Sequence, residues 1–378
     1  MSLYAAREAG RSRRRPGLTA LVCAIVLSIT GEFAMSADAT TIAYVGNADS
    51  ADISTVALGP DGTLALIDTT PAPGLTRPGA SLPLAVSPDR TRLFAAIRVE
   101  PYAVLTYAIA PATGRLTLIG SGPLPDSMAY ISTDRTGRFL FGASYGGSKV
   151  SVSPIGADGI VGDPLQVEGT APKSHAILAD PSNRFVLSTS LGGDLVHQWR
   201  IDATGALTPN APATAPIPAG SGPRHLVFSP DARFVFVLGE LDAAVHVLPW
   251  NADTGTLGSP IQTASALPPG FAGQPWSADI HVSPDGRFLY ASERTSSTIA
   301  AFRVDAATGR LTPIGSVATE TQPRGFAIDP SGRHLLAVGQ LSHRLTSYAI
   351  DQAAGALAPV SQIAVGQNPN WVEIIALP

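Results

Sequence analysis

The chain has 378 residues, of which 45% are hydrophobic and only 14% charged, with a net charge of −4. That length suits two ordinary domains or one large all-β domain. The charge balance supplies no basic footprint for nucleic acid, and no basic amphipathic helix is present for a membrane surface. In chain order, RSRRR (11–15), the apolar run GLTALVCAIVLSIT (17–30) and Ala37-Asp38-Ala39 have the tripartite form of a secretory signal. Residues 1–39 are therefore expected to be removed, with no membrane span in the mature chain and a periplasmic or secreted location. Cys23 lies within this segment and is the sole cysteine, so residues 40–378 carry no thiol chemistry.

From residue 82 onward one phrase recurs: an apolar strand, a turn of the S/D-P-D/S type, and a second apolar strand. Its copies are LAVSPDRTRLFAAI, AYISTDRTGRFLFGAS, AILADPSNRFVLSTS, LVFSPDARFVFVLG, IHVSPDGRFLYAS and FAIDPSGRHLLAVG. Aligned on Pro88, Asp134, Pro181, Pro230, Pro284 and Pro330, they lie 46, 47, 49, 54 and 46 residues apart. A third strand ending in a D-x-x-T-G-like turn and a short fourth segment follow. Four strands at this period predict β-propeller blades. Residues 40–378 divide into seven units of about 48. NPNWVEIIALP (368–378) matches a first strand, and TIAYVGNADSADISTVAL, beginning at Thr41, matches the strands that come after one. The expected fold is one all-β domain, 40–378, a seven-bladed propeller closed by N- and C-terminal strands sharing a blade.

The turn chemistry is local. Proline presets φ, and Asp or Ser caps nearby amides. An arginine follows each turn (Arg92, Arg138, Arg184, Arg233, Arg287 and Arg333). A group that repeats in all six copies cannot be a single site, so these arginines read as structural.

Function is expected where copies differ. Six residues before the turn stand Leu82, Met128, His175, Arg224, Ala278 and Arg324; ten after it stand Arg98, Ser144, Leu191, Glu240, Arg294 and Gln340. The far ends of an antiparallel hairpin lie side by side, so both series share one rim. If the hairpin is the inner one, His175, Arg224, Glu240 and Arg294 converge at one mouth of the central channel. His225 and Asp279 come one residue further along, and His281 two beyond Asp279. Arginine forks bind carboxylate or phosphate, and His or Glu can move protons. Trp276 and Trp371 are expected to pack between blades. No metal-ligand spacing, nucleophile elbow or phosphate loop appears, and no cofactor or metal is implied.

The phrases GPRHLVFSPDARFVFVLGEL, IHVSPDGRFLYASERTSSTIAAFRVD and RGFAIDPSGRHLLAVGQLSHRLTSYAID resemble the seven-bladed propeller lactonase family, which includes 6-phosphogluconolactonases and 3-carboxy-cis,cis-muconate lactonising enzymes. The resemblance implies a catalytic set at His175, Arg224, Glu240 and Arg294; the comparison of rim positions adds His225, Asp279, His281, Arg324 and Gln340 as expected substrate contacts. It departs from the family at Gly239 and Glu293, where Asn is common, and at Thr295, where Gly is common. The reading is a lactonase-like hydrolase opening a sugar-type lactone, with Glu240 or His175 as base. A cycloisomerase acting on a polycarboxylate and a non-catalytic binding propeller are the alternatives. The expected partner is a small lactone or polycarboxylate, and the chain is expected to act as a monomer.

Overall fold

A computed structural model describes residues 40–76 and 81–377; the expected leader, 1–39, lies outside them. Seven antiparallel sheets follow one another along the chain. We number six blades by their inner strands: Leu84–Val86, Met128–Thr133, Ser174–Ala179, Pro223–Phe228, Ser277–Val282 and Pro323–Ile328. In the seventh, the C-terminal strand Pro369–Ala376 is innermost and pairs with Thr41–Asn47 from the other end of the chain. The two termini thus share a blade, as the sequence predicts. Each inner strand packs against the inner strands of both neighbours, so the ring closes and buries its edges. Among the described residues no helix is long and apolar enough to cross a membrane.

Seven apolar clusters hold the ring, one between each adjacent pair of blades. The strand Phe234–Gly239 shows how one sequence serves two of them. Phe234, Phe236 and Leu238 pack toward the fifth blade, while Val235 and Val237 pack toward the third. Alternate side chains leave opposite faces of a strand, and both faces are covered. The strand must therefore be apolar throughout rather than at every second position.

The turn end of each hairpin repeats closely. The Ser229 hydroxyl accepts from the amides of Arg233 and Phe234, and Asp180 and Asp134 do the same with carboxylates. Asp134 therefore occupies the Ser229 position, and Arg135, not Asp134, is the counterpart of Pro230. Arg184, Arg233 and Arg287 donate to carbonyls of Ala252, Ala306 and Ala307, and Gln352 in the next blade's outer loop. Beneath that loop Gly255, with φ of 70°, lies on the Phe185 ring; a Cβ there would come within 2.0 Å of it. In the first blade Thr91 takes the repeated arginine position and Arg92 takes that of Phe234. Arg92 therefore does not share the role expected of it.

Candidate active site at the rim of the channel

The far end of the inner hairpin carries a β-bulge in the second to sixth blades. The register shifts between Ser174 and Ile177, Pro223 and His225, Ser277 and Ile280, and Pro323 and Phe326. A bulge sets two residues against one and re-aims their side chains. His175, Arg224 and Arg324 all occupy these irregular positions. The bulged backbone is satisfied by side chains. Thr189 Oγ1 accepts from the Ala176 amide and donates to the Arg224 carbonyl, tying the third blade to the fourth.

The corrected turn alignment changes two rim positions in the second blade. Tyr130 pairs with Ala143 as His225 pairs with Leu238, so Ala129 and Tyr145, not Met128 and Ser144, are the second-blade counterparts of Arg224 and Glu240. Tyr145 meets the His175 ring edge-on, with centroids 5.8 Å apart.

The four residues expected to be catalytic converge. Glu240 Oε2 accepts from Nε of Arg224 and from a terminal nitrogen of Arg294, both at 2.9 Å. Arg224 is 1% exposed and Arg294 5%. Arg294 also donates to the carbonyls of Trp276 and Ser277, and its guanidinium lies 3.8 Å from the centroid of the Trp276 ring. Trp276 is therefore not packed between blades; it is 40% exposed at the rim and forms one wall of the Arg294 position. Glu293, fully buried, accepts from the amides of Trp276, Thr295 and Ser296 and so ties together the two segments, before and after the hairpin, that carry Trp276 and Arg294. His175 is 5% exposed, its ring 5.2 Å from that of His225, and its Nδ1 has no hydrogen-bond partner.

Charge is concentrated at this mouth. Arg98 donates to Ser127 and Ser81, and desolvation and Arg224 push it down to about 10. Desolvation and Arg224 likewise bring Arg294 to about 9 and hold Arg324 well below its ordinary value. These four guanidiniums feel one another, and Glu240 is the carboxylate among them. Burial opposes its ionisation, yet Arg224 and Arg294 hold it below the usual range. His175 is kept neutral by desolvation and by the charges of Arg224, His225, Arg324 and Arg98. Arg98 was visible at a rim position in sequence but stood outside the expected site.

The residues expected to touch substrate divide. Arg324 lies within the guanidinium group. Gln340 stays at the rim but donates to Asn368 of the closing blade, and its Oε1 is unpartnered. His225, Asp279 and His281 lie below the rim. They line a cavity of about 420 Å³ that extends past Tyr130, Leu178 and Phe228 to the turn residues Pro181 and Pro230. Trp371 is also in the channel, 5.2 Å from Tyr130 and 6.0 Å from His225 between ring centroids. Among the described residues no group of His, Cys, Asp and Glu is arranged to hold a metal ion.

Residues 37–374 match the family model described as lactonase, 7-bladed β-propeller. The chain is 42% identical over 336 residues to a 6-phosphogluconolactonase of Pectobacterium carotovorum, covering 89% of this chain and 99% of that one. A 6-phosphogluconolactonase of Serratia proteamaculans is 40% identical over 337 residues, with coverage of 89% and 99%. The structure of the periplasmic gluconolactonase of Pseudomonas aeruginosa superposes with a TM-score of 0.81 at 29% identity, covering 90% of this chain and 100% of that one. With the ring and these relatives in agreement, the chain belongs to the seven-bladed β-propeller lactonase family and is a lactone hydrolase.

Proposed function

We propose that the protein hydrolyses a sugar lactone that carries a carboxylate or phosphate, bound at the arginine-rich mouth. One observation carries this reading: Glu240 Oε2 sits between Arg224 and Arg294 at one mouth, and the charges of Arg98, Arg224, Arg294 and Arg324 act on one another there. Desolvation and mutual repulsion make such a concentration of positive charge receptive to an anion. A substrate anion would complete the cluster, and the oxyanion formed during ring opening would be stabilised by the same forks.

His175 is the proposed base. It is neutral, so it can take a proton from water, whose oxygen then attacks the lactone carbonyl carbon. Arg224 and Arg294 receive the oxyanion. The ring C–O bond breaks as the carbonyl reforms, and His175 returns its proton to the leaving alkoxide. Desolvation is the main cause of the low basicity of His175; an anion bound among the arginines would offset the smaller part that comes from Arg224, Arg324 and Arg98. Glu240, held ionised between two cations, is a poor base; its proposed role is to aim the two guanidiniums. The four-residue catalytic set, and Arg98 and Arg324 as anion contacts, are parts of this proposal.

The basic segment 11–15, the apolar run 17–30 and Ala37–Ala39 support export and cleavage after Ala39, as does the periplasmic relative.

The test is hydrolysis of glucono-δ-lactone, 6-phosphogluconolactone and a glucarolactone by the chain without residues 1–39, with the spontaneous rate subtracted. We expect at least one anionic lactone to exceed the neutral one by about tenfold in kcat/KM, the size of one charge-assisted contact. Equal rates on all three would remove the anion-binding role from the arginines, and the two anionic arms separate carboxylate from phosphate.

A further inference from the structure

We propose that His225 and Asp279 are positioning residues, which fix the Arg224 guanidinium from beneath the rim rather than touching substrate. Arg224 donates from a terminal nitrogen to Nε2 of His225 at 3.0 Å. Guanidinium has no acceptor, so Nε2 must be unprotonated. The neutral ring then carries its proton on Nδ1, which faces Asp279 Oδ1 at 2.8 Å. Asp279 thereby selects the one tautomer that can receive Arg224. The same terminal nitrogen of Arg224 donates to the Ala278 carbonyl, so a second contact from the fifth blade reinforces the aim.

Asp279 is itself tied down on several sides. Its Oδ1 accepts from the Ile280 amide at 3.0 Å, and its Oδ2 from the Phe326 amide and His281 Nε2, each at 3.3 Å. His225 is clamped by rings: Tyr130 meets it edge-on at 5.1 Å and His175 at 5.2 Å. The outcome is one line of contacts, His281–Asp279–His225–Arg224–Glu240–Arg294, running from the channel to the rim across the fourth and fifth blades. Arginine does not release its proton, so this line conveys position, not protons. The charges agree with it: burial and Arg224 press His225 down to about 4, and the two histidines hold Asp279 ionised despite its burial.

The inference rests on the reading that Arg224 meets the substrate, and the experiment separates the two. His225→Phe keeps an aromatic ring against Tyr130 but removes the acceptor for Arg224; His225→Gln restores an acceptor without the ring. On the best lactone, His225→Phe should lower kcat about 10- to 100-fold with a smaller change in KM, and His225→Gln should recover most of it. Asp279→Asn should lower kcat about tenfold in the native background and less than twofold beside Arg224→Lys, because it acts through Arg224. Independently of turnover, ¹⁵N NMR of the imidazoles should show His225 protonated at Nδ1, bare at Nε2, and unchanged between about pH 5.5 and 8.

Equal losses in Phe and Gln variants of unchanged melting temperature, or additive losses beside Arg224→Lys, would overturn the positioning role. An Nε2-protonated tautomer would overturn it whether or not any lactone is turned over. Absence of turnover by the wild type, with the Nδ1 tautomer present, would instead count against the proposed substrate and leave the link from Asp279 to Arg224 standing.

Discussion

The two ends of the same inner hairpins make opposite use of repetition. At the turn end, Ser229, Ser283, Asp134, Asp180 and Asp329 all cap the backbone amides that follow them. Arg184, Arg233 and Arg287 then reach the next blade in the same way. At the rim end only the backbone irregularity recurs. The residues placed at the bulges are His175, Arg224, Ala278 and Arg324 in successive blades. A bulge frees a residue from strict pairing, so its side chain can change without disturbing the ladder. One end fixes the scaffold, and the other is open to chemistry.

The largest effect that would test this contrast is Arg224→Ala. It removes a guanidinium held by Glu240, His225 and the Ala278 carbonyl, and kcat/KM should fall about 10²- to 10³-fold, as for loss of an oxyanion donor. Lactone hydrolysis beside Arg233→Ala, which should stay within about twofold of wild type, reads the difference directly. Comparable losses in both variants would erase the division between the two ends.

A second effect belongs to the depth between them. Glu373, on the closing inner strand, is raised to about 7 by burial, against the hydrogen bond from Trp371 Nε1 and the nearby charge of His281. In the unfolded chain this carboxyl titrates near its ordinary 4.5. Between those values the native state holds a proton that the unfolded state has released. The stability contribution is therefore complete below the lower value and is lost as pH rises through about 7. The loss amounts to about 3 kcal/mol. Urea unfolding at pH 4.5 and pH 8 should show a wild-type decline that Glu373→Gln lacks by about that amount. Parallel declines would place Glu373 in solvent rather than in the channel interior.

The fold was legible because its instructions are local and repeated: a turn every 46 to 54 residues and strands apolar on both faces. The shared blade was legible from NPNWVEIIALP at the C-terminus. The convergence of His175, Arg224, Glu240 and Arg294 was legible because an antiparallel hairpin brings its ends together. What failed was register in the second blade. T-D-R-T-G-R lacks the proline, and aligning Asp134 with Pro230 moved the rim by one residue, hiding Tyr130 and Tyr145. Asp134 stands four residues before Arg138, as Ser229 stands four before Arg233, and that spacing was the available signal. Depth was not legible either. His225, Asp279 and Arg224 are near neighbours in the repeat, but the bulge sends Arg224 to the rim and the other two into the channel. A period-two pattern cannot show a shift that occurs between adjacent residues.

The smallest expected effect sharpens the scaffold side. Arg233 donates to the Ala306 and Ala307 carbonyls at 3.2 and 3.0 Å, and its guanidinium lies 5.4 Å from the centroid of the Phe234 ring. The side chain is exposed, so water can replace its hydrogen bonds and the net cost of Arg233→Ala should be about 1 kcal/mol. The same change at Arg184 or Arg287 should cost a similar amount, because the geometry repeats. The three sites lie in different blades and share no partners, so their losses should add in a triple variant, measured by urea unfolding. Additive losses with kcat unchanged would mark these arginines as ties between blades. A much larger loss in one blade alone would show that the turn end, too, has begun to specialise.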